Sequence, residues 1–250
     1  MSATAKSLRG LVLPGILSAI GIAILLGFGV WQLERLACKE ELIARVEARM
    51  TAPVAALPSE SAWSKINAAG DEYRRVTLQG TFRHDRETLV YTVASENTRG
   101  VSGPGYLVLT PLELASGASV IVNRGFVPLD KKDPATRRAG QVEGTVAITG
   151  LLRMPEEANY FTPENDTAKD AWYRRVPAEI ARARGIERAA PFMIDADGTA
   201  NPGGLPQGGG TRVSFPNNHL QYVVTWFGLA LCLAGVYGVY VWGAYRGTQP

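Results

Sequence analysis

The sequence predicts a membrane protein of the α+β class, in which two transmembrane helices flank an outer antiparallel β-rich domain, either a sheet or a small barrel. Residues 11–33 and 220–245 contain no Asp, Glu, Lys, Arg or His. A bilayer core of about 30 Å needs about 20 helical residues, and a single segment can satisfy its own backbone there only as a helix. Between the two runs, short segments rich in β-branched and aromatic residues alternate with turn residues, as strands do.

The first apolar run is predicted to be a membrane anchor rather than a cleaved signal peptide. Its 11–33 span is longer than the roughly 7 to 15 residues of a signal-peptide core, and no small-x-small cleavage site follows it. A lipoprotein site at Cys38 is disfavoured, because Glu34 and Arg35 stand where apolar residues should precede the cysteine. We therefore expect transmembrane helices over 11–33 and 220–245.

Basic residues at the ends of the two helices predict the orientation. Lys6 and Arg9 precede the first helix and Arg246 follows the second, and such residues tend to stay in the cytoplasm. We therefore expect residues 1–10 and 246–250 to be cytoplasmic and the domain 34–219 to be periplasmic. The ten residues before the first helix are too few for a transit peptide, which favours a bacterial inner (plasma) membrane.

The outer domain is predicted to begin with a helical segment, because residues 34–50 continue the helical spacing of apolar residues beyond the membrane. A short helix is expected over 178–184, between Pro177 and Gly185. The Gly/Pro-rich stretch 197–211 is interpreted as a flexible linker to the second membrane helix. The predicted strands are 73–82, 88–93, 106–114, 119–127 and 142–154.

Small residues at four-residue spacing predict how the membrane helices pack. Such residues let two helix backbones approach closely. Each membrane helix has one such set of three residues. The set is Ala19, Ala23 and Gly27 in the first helix and Ala230, Ala234 and Gly238 in the second.

Several function classes have no support in the sequence. There are two histidines and two cysteines, without a C-x-C or C-x-x-C pair, a Gly-x-Ser-x-Gly elbow or a phosphate-binding loop. His219 and Cys232 are thirteen residues apart on one predicted helix, about 20 Å, so they cannot share an ion. A net charge of +3 does not indicate nucleic-acid binding. We expect no catalytic residues.

Several segments together resemble one family over essentially the whole chain. The string NNHLQYVVTWF at 217–227 opens the second membrane helix, and GVWQLER at 29–35 ends the first. YRRV at 73–76, GTF at 80–82 and VNRGFVP at 122–128 follow in the same order as in that family. The sequence is thereby similar to the Surfeit locus protein 1 family.

The resemblance implies a non-catalytic membrane assembly factor for haem-copper cytochrome c oxidase. Such a factor would handle haem a during its insertion, with the oxidase catalytic subunit as partner, haem a synthase as a further partner, and membrane lipids around the helices. Two alternatives stay open. One is an assembly scaffold that binds oxidase subunits without contacting haem, and the other is a membrane-tethered enzyme of unknown substrate.

Together with the resemblance, helix spacing places a candidate haem site at the start of the second membrane helix. A neutral imidazole is a standard axial ligand to haem iron, aromatic faces suit a flat macrocycle, and an arginine can pair with a propionate. The alternative is an ordinary aromatic belt with a helix-start histidine. His84 lies in the string RHDR between two strands and is interpreted as a solvated turn residue. The candidate site residues are His219 as ligand, with Tyr222, Trp226, Trp31 and Arg35 beside it.

Overall fold

The structure is a computed structural model that describes residues 9–94, 102–211 and 215–246. Lys6 and the rest of the predicted cytoplasmic segment before residue 9 lie outside the described residues. So do residues 95–101, between the predicted strands 88–93 and 106–114, residues 212–214, and residues 247–250. The chain divides into two compact units, one containing 9–45 and 215–246 and the other containing 46–211.

Two long helices form the first unit and are apolar enough to cross a membrane. Helix α1 spans Arg9–Thr51 and helix α4 spans His219–Arg246. Most of their large apolar side chains are exposed, including Leu13 and Leu231, whereas the core helix of a water-soluble protein would bury them. Helix α1 continues without a break through the charged residues after 33, as the sequence predicts.

Helices α1 and α4 pack by placing large side chains of α4 over glycines of α1. A Cβ atom added at Gly29 would lie 2.8 Å from the ring of Phe227, so only glycine leaves room for that ring. The hydroxyl of Tyr237 donates to the carbonyl oxygen of Leu11 at 3.2 Å and fixes the far end of the pair. The other glycines in such contacts are Gly15, under Tyr237, and Gly21, under Leu233.

The predicted small-residue packing is therefore wrong in its choice of face. On α1 the three small residues are exposed, and a Cβ at Gly27 would meet nothing within 4 Å. On α4, Ala230 is buried but Ala234 and Gly238 are exposed. Small residues are common throughout membrane helices, so their spacing alone does not identify the contact face.

Among its described residues, the second unit contains seven strands and two short α-helices. Helix α2 spans Ala68–Asp71, and helix α3 spans Pro177–Ala183, close to the predicted short helix. The strands are β1 (Ala55–Ala56), β2 (Arg75–Phe82), β3 (Thr88–Ala94), β4 (Gly103–Glu113), β5 (Ser119–Pro128), β6 (Thr145–Arg153) and β7 (Ala189–Ala196).

Five of these strands close into a barrel, which confirms the predicted β-rich domain between two apolar helices. The order is β2-β6-β7-β5-β4, and β4 pairs back onto β2 through Thr81 with Glu113 and Phe82 with Leu112. Strands β1 and β3 pair with β2 and β4 outside the ring. Closure removes the exposed edges that an open sheet would leave.

One pair in the barrel, β5 with β7, is parallel, whereas the other barrel pairs are antiparallel. Strand β7 was not predicted from the sequence. Its residues 192–195 are buried without alternation, so the two-residue period that marks a half-exposed strand is absent. The chain reaches β7 only after β6 and α3, and this long crossover permits the parallel direction.

Two apolar cores lie on the two faces of the barrel wall. The inner core takes alternate residues from the strands, such as Val120 and Val122 of β5, and fills the barrel. The outer core takes the opposite face, where Ile121 packs with Ile180 of α3 and with Trp172. Strand β5 is therefore buried on both faces, and its residues 119–127 are all buried.

The stretch 197–211 differs from the flexible linker that its composition predicts. Phe126 and Gln207 exchange two backbone hydrogen bonds, of 3.0 and 2.9 Å, which fasten the stretch to β5. The contact needs a glycine at 125, where φ is +119° and an added Cβ would lie 2.0 Å from the carbonyl oxygen of Gln207. Glycine here therefore allows close backbone approach rather than mobility.

Asp195 of β7 is a buried carboxylate that binds both neighbouring strands and two further segments of the barrel domain. It accepts from Asn123 Nδ2 at 2.8 Å, Arg153 Nη1 at 3.1 Å, Thr211 Oγ1 at 2.8 Å, and Arg175 Nη1 at 3.0 and 3.2 Å. We call these five residues the Asp195 cluster. It joins β5, β6 and β7 to the segment before α3 and to the stretch 197–211.

The guanidinium of Arg175 in the Asp195 cluster is held in the charged form. Burial alone would lower the pKa of the Arg175 guanidinium, but the charges of Asp195 and Glu156 outweigh burial and raise that pKa above its usual value. Arg153 likewise has a second carboxylate partner, because its Nε donates to Glu72 at 2.8 Å. The cluster is therefore a connected ion-pair network rather than an isolated buried charge.

Replacing Asp195 by Ala should lower the free energy of unfolding by about 3–5 kcal/mol, because buried donors lose their shared acceptor. Asp85→Ala is the matched control. Asp85 pairs with Arg83 on the surface, and its loss should cost at most about 1 kcal/mol. Urea unfolding of the full chain in detergent, followed by near-ultraviolet circular dichroism, measures both. Equal losses in the two variants would contradict a structural role for the cluster.

Replacing Gly29 by Leu should destabilise the helix pair by about 1–3 kcal/mol, because the new side chain overlaps the ring of Phe227. Gly27→Leu makes the same change two residues away, where the space is open, and should leave stability unchanged. Thermal unfolding in detergent, followed by tryptophan fluorescence, compares the two variants. If Gly27→Leu is the more damaging change, the contact face is assigned incorrectly.

Candidate functional site

His219 is the first residue of α4, and its ring faces α1. The backbone N–H of His219 donates to Oδ1 of Asn217 at 3.4 Å, a side-chain acceptor at the helix start. The imidazole Nδ1 lies 2.7 Å from Oε1 of Gln32, which is 8% exposed between the helices. Residues 187 positions apart in sequence are thus joined by one polar contact.

This contact determines which ring nitrogen of His219 carries the hydrogen. An amide oxygen can only accept, so Nδ1 of His219 is the donor in this contact. Within the described residues, the imidazole makes no second hydrogen bond. The Nε2 of the ring is therefore available to a ligand.

Trp226 lies two turns further along α4 and packs against α1. Its ring stacks on Phe28 with the centroids 5.0 Å apart and the planes at 29°. Its indole Nε1 is buried and has no hydrogen-bond partner in the part of the chain that the structure describes. A buried donor without an acceptor is unfavourable and suits an acceptor atom of a bound molecule.

The other three predicted site residues lie on the outside of the helix pair. Tyr222 is 51% exposed and Trp31 is 47% exposed. The Arg35 guanidinium lies 5.7 Å from the centroid of the Trp31 ring, within cation–π distance. Trp31 precedes Gln32 and Arg35 lies within one turn after it, so both are close to the level of His219 along α1.

His84 is not the solvated turn residue that its sequence context predicts. It is half-buried, and its Nε2 lies 2.9 Å from the carbonyl oxygen of Val142. Its Nδ1 lies 3.5 Å from Nη1 of Arg124, and its ring centroid is 5.6 Å from that of Phe82. Because a carbonyl accepts and a guanidinium donates, His84 carries its hydrogen on Nε2, the opposite tautomer to His219. Both of its ring nitrogens are occupied.

Arg124 is buried beside His84, which the sequence alone does not indicate. Burial lowers the pKa of its guanidinium to about 10, although the charge of Glu87 acts in the opposite direction. Its guanidinium carbon lies 4.7 Å from the centroid of the Phe82 ring. Arg124 therefore remains charged at neutral pH, as a donor toward Nδ1 of His84.

Sequence reasoning missed Gln32 and Phe28 as parts of the site. Gln32 lies in the quoted string GVWQLER, and the signal was its amide within an otherwise apolar membrane segment. Phe28 has no such signal, because an aromatic residue near the end of a membrane helix is common. Only the pairing of α1 with α4 identifies both residues.

The nitrogen donor that this site offers to a metal is the imidazole of His219. Among the described residues, no group of three or more His, Cys, Asp or Glu side chains could hold a metal ion. Cys38 and Cys232 are free and exposed. A haem supplies four equatorial nitrogen ligands itself and needs only axial ones, so one imidazole is enough to attach it.

The fold and this arrangement define a class of membrane protein in which two apolar helices flank a closed five-stranded barrel and meet at a histidine. The SURF1 family model matches residues 19–231, which is most of the chain. The chain belongs to the SURF1 family.

Curated relatives support this assignment. The chain is 40% identical over 236 residues to a SURF1-like protein of Monosiga brevicollis, covering 92% of this chain and 87% of that one. It is 38% identical over 215 residues to Surfeit locus protein 1 of Homo sapiens, covering 82% and 69%. Surfeit locus protein 1 of Xenopus tropicalis is 36% identical over 249 residues, covering 95% and 78%.

Proposed function

We propose that this chain is a non-catalytic membrane assembly factor for haem-copper cytochrome c oxidase and handles haem a on its way to the catalytic subunit. Membership of the SURF1 family supports the assembly role. The observation that carries the haem role is the His219 ring, whose Nδ1 donates to Gln32 and whose Nε2 is available. Reversible axial ligation of haem requires no other chemistry from the protein.

The residues around His219 fit a haem. His219 would supply the axial nitrogen, and the buried N–H of Trp226 would donate to a polar group of the macrocycle. The exposed rings of Tyr222 and Trp31 offer apolar faces, and Arg35 offers a cation for a propionate. When bound, haem a supplies the redox-active iron that the oxidase requires.

The partners follow from the same proposal. Haem a synthase is the class of enzyme that produces the cofactor, and the oxidase catalytic subunit receives it. Both are membrane proteins, and the exposed apolar surfaces of α1 and α4 suit contact with lipid or with membrane-embedded helices. The proposed location is a bacterial inner membrane with the barrel on the periplasmic side.

One observation favours a scaffold that binds oxidase subunits without haem. Tyr160 and Phe161 are 97% and 90% exposed in the barrel domain, and their rings make an edge-to-face contact with centroids 5.5 Å apart. Adjacent exposed aromatic residues are typical anchors in protein–protein interfaces. Such a surface serves either version of the assembly role, so haem binding has to be tested directly.

Replacing His219 by Ala should remove or strongly alter the haem absorption of protein purified from a host that makes haem a, because the axial ligand is lost. His84→Ala is the matched control, and it should keep the wild-type spectrum because both His84 ring nitrogens are occupied. The amount of each variant in the membrane is measured in the same samples. Wild-type spectra from both variants would favour the scaffold; loss only in His84→Ala would place the ligand in the barrel domain.

A reporter that works only outside the cytoplasm should be active when fused after Gly140 and inactive when fused after Pro250. This orientation follows from the basic residues before the first membrane helix and after the second. Reporter activity at both positions, or only after Pro250, would contradict the two-pass arrangement with a periplasmic barrel.

A further inference from the structure

We propose that Gln32 is a positioning residue for His219: it holds the imidazole as the Nδ1–H tautomer and so presents Nε2 as the ligating nitrogen. Neither the family assignment nor the fold specifies this role. The step from tautomer to iron ligation rests on the proposed haem function, whereas the choice of tautomer does not.

The contact is built by the packing of α1 against α4. Oε1 of Gln32 lies 2.7 Å from Nδ1 of His219, a short and direct hydrogen bond. On the adjoining turns, Phe28 stacks on Trp226 and Gly29 receives the ring of Phe227. These contacts fix the depth of α1 relative to α4, so Gln32 is held opposite the ring.

Glutamine suits this task because it accepts a hydrogen bond without carrying a charge. A carboxylate in the same buried place would strengthen the bond to the imidazole but would cost desolvation energy in an apolar helix pair. Histidines that bind metals almost always donate their other N–H to a fixed acceptor, which sets ring orientation and raises ligand basicity. Gln32 supplies that acceptor across the two helices.

A plain structural role for Gln32 is the competing explanation. Hydrogen bonds between membrane helices contribute little to stability on average, and such a bond can run in either direction. A structural role therefore predicts a loss of stability without any defined tautomer. The protonation of the two ring nitrogens separates the two explanations before any haem is bound.

Nitrogen NMR of the haem-free full chain in detergent, labelled with ¹⁵N only at histidine, reads the tautomers directly. The chain has two histidines, and His219→Ala assigns their signals. At a pH where both rings are neutral, we expect His219 protonated on Nδ1 and His84 protonated on Nε2. A His219 ring protonated on Nε2 in the wild type would overturn the proposal.

Gln32→Leu should move His219 toward a mixture of tautomers and leave His84 unchanged. Gln221→Leu is the matched control, because it makes the same change two residues from His219 at an exposed position of α4. If Gln32→Leu leaves the His219 signals as in the wild type, Gln32 does not select the tautomer. If Gln32→Leu accumulates poorly, the wild-type spectrum alone still decides the tautomer.

Haem binding in the same variants tests the second part of the proposal, which is that the Nε2 presented in this way ligates the iron. Gln32→Leu should weaken haem affinity by about 10- to 100-fold, the usual effect of losing a partner behind a metal ligand. Gln32→Glu keeps an acceptor and should bind haem with a lower reduction potential, because the imidazole becomes a stronger donor. Gln221→Leu should match the wild type.

The outcomes separate this inference from the proposed function. A wild-type haem spectrum in His219→Ala would contradict ligation by His219 and with it the second step. Loss of haem in His219→Ala, together with wild-type affinity and potential in Gln32→Leu, would overturn only the role of Gln32. The expected pattern is loss in the first variant, weakened binding in the second and a lowered potential in Gln32→Glu.

Discussion

One buried carboxylate, Asp195, connects three strands of the barrel to two further segments of the domain. Apolar packing fills both faces of the barrel wall, but packing does not fix the direction or register of a strand that is buried on both sides. Strand β7 is such a strand and pairs in parallel with β5. Hydrogen bonds from Asn123 of β5 and Arg153 of β6 to Asp195 define its position between those neighbours. The stretch 197–211 and the segment before α3 are held by the same carboxylate.

The helix pair uses polarity in a different way. Its surroundings are apolar, so a single hydrogen bond there is directional and has few competitors. The bond between Gln32 and His219 leaves one imidazole nitrogen occupied and the other available. His84 in the barrel domain has both nitrogens occupied by Val142 and Arg124. The two histidines of the chain are thereby given different chemistry by their neighbours alone.

The parts of the fold that could be predicted are those set by local sequence. The membrane helices follow from length and missing charge, and the extension of α1 beyond residue 33 follows from continued helical spacing. Strand β7, barrel closure and the packing of 197–211 could not be predicted, because each depends on pairing between distant residues. Within the candidate site, the sequence points to His219 and Trp226 as candidates but not to Gln32, since its partner is 187 positions away. The packing predicted from the small residues of α1 is wrong, because their spacing alone does not reveal which face of the helix contacts α4.

The contact between Gly29 and Phe227 also constrains how the sequence can change over evolution. The space over Gly29 is filled by the ring of Phe227, so a larger residue at 29 is tolerated only with a smaller one at 227. These two positions are therefore expected to covary among homologues. Gly27 faces open space, and substitutions there can accumulate independently of α4. Three residues after Gly29 lies Gln32, so a paired exchange at 29 and 227 that shifted either helix would also move the amide away from the imidazole.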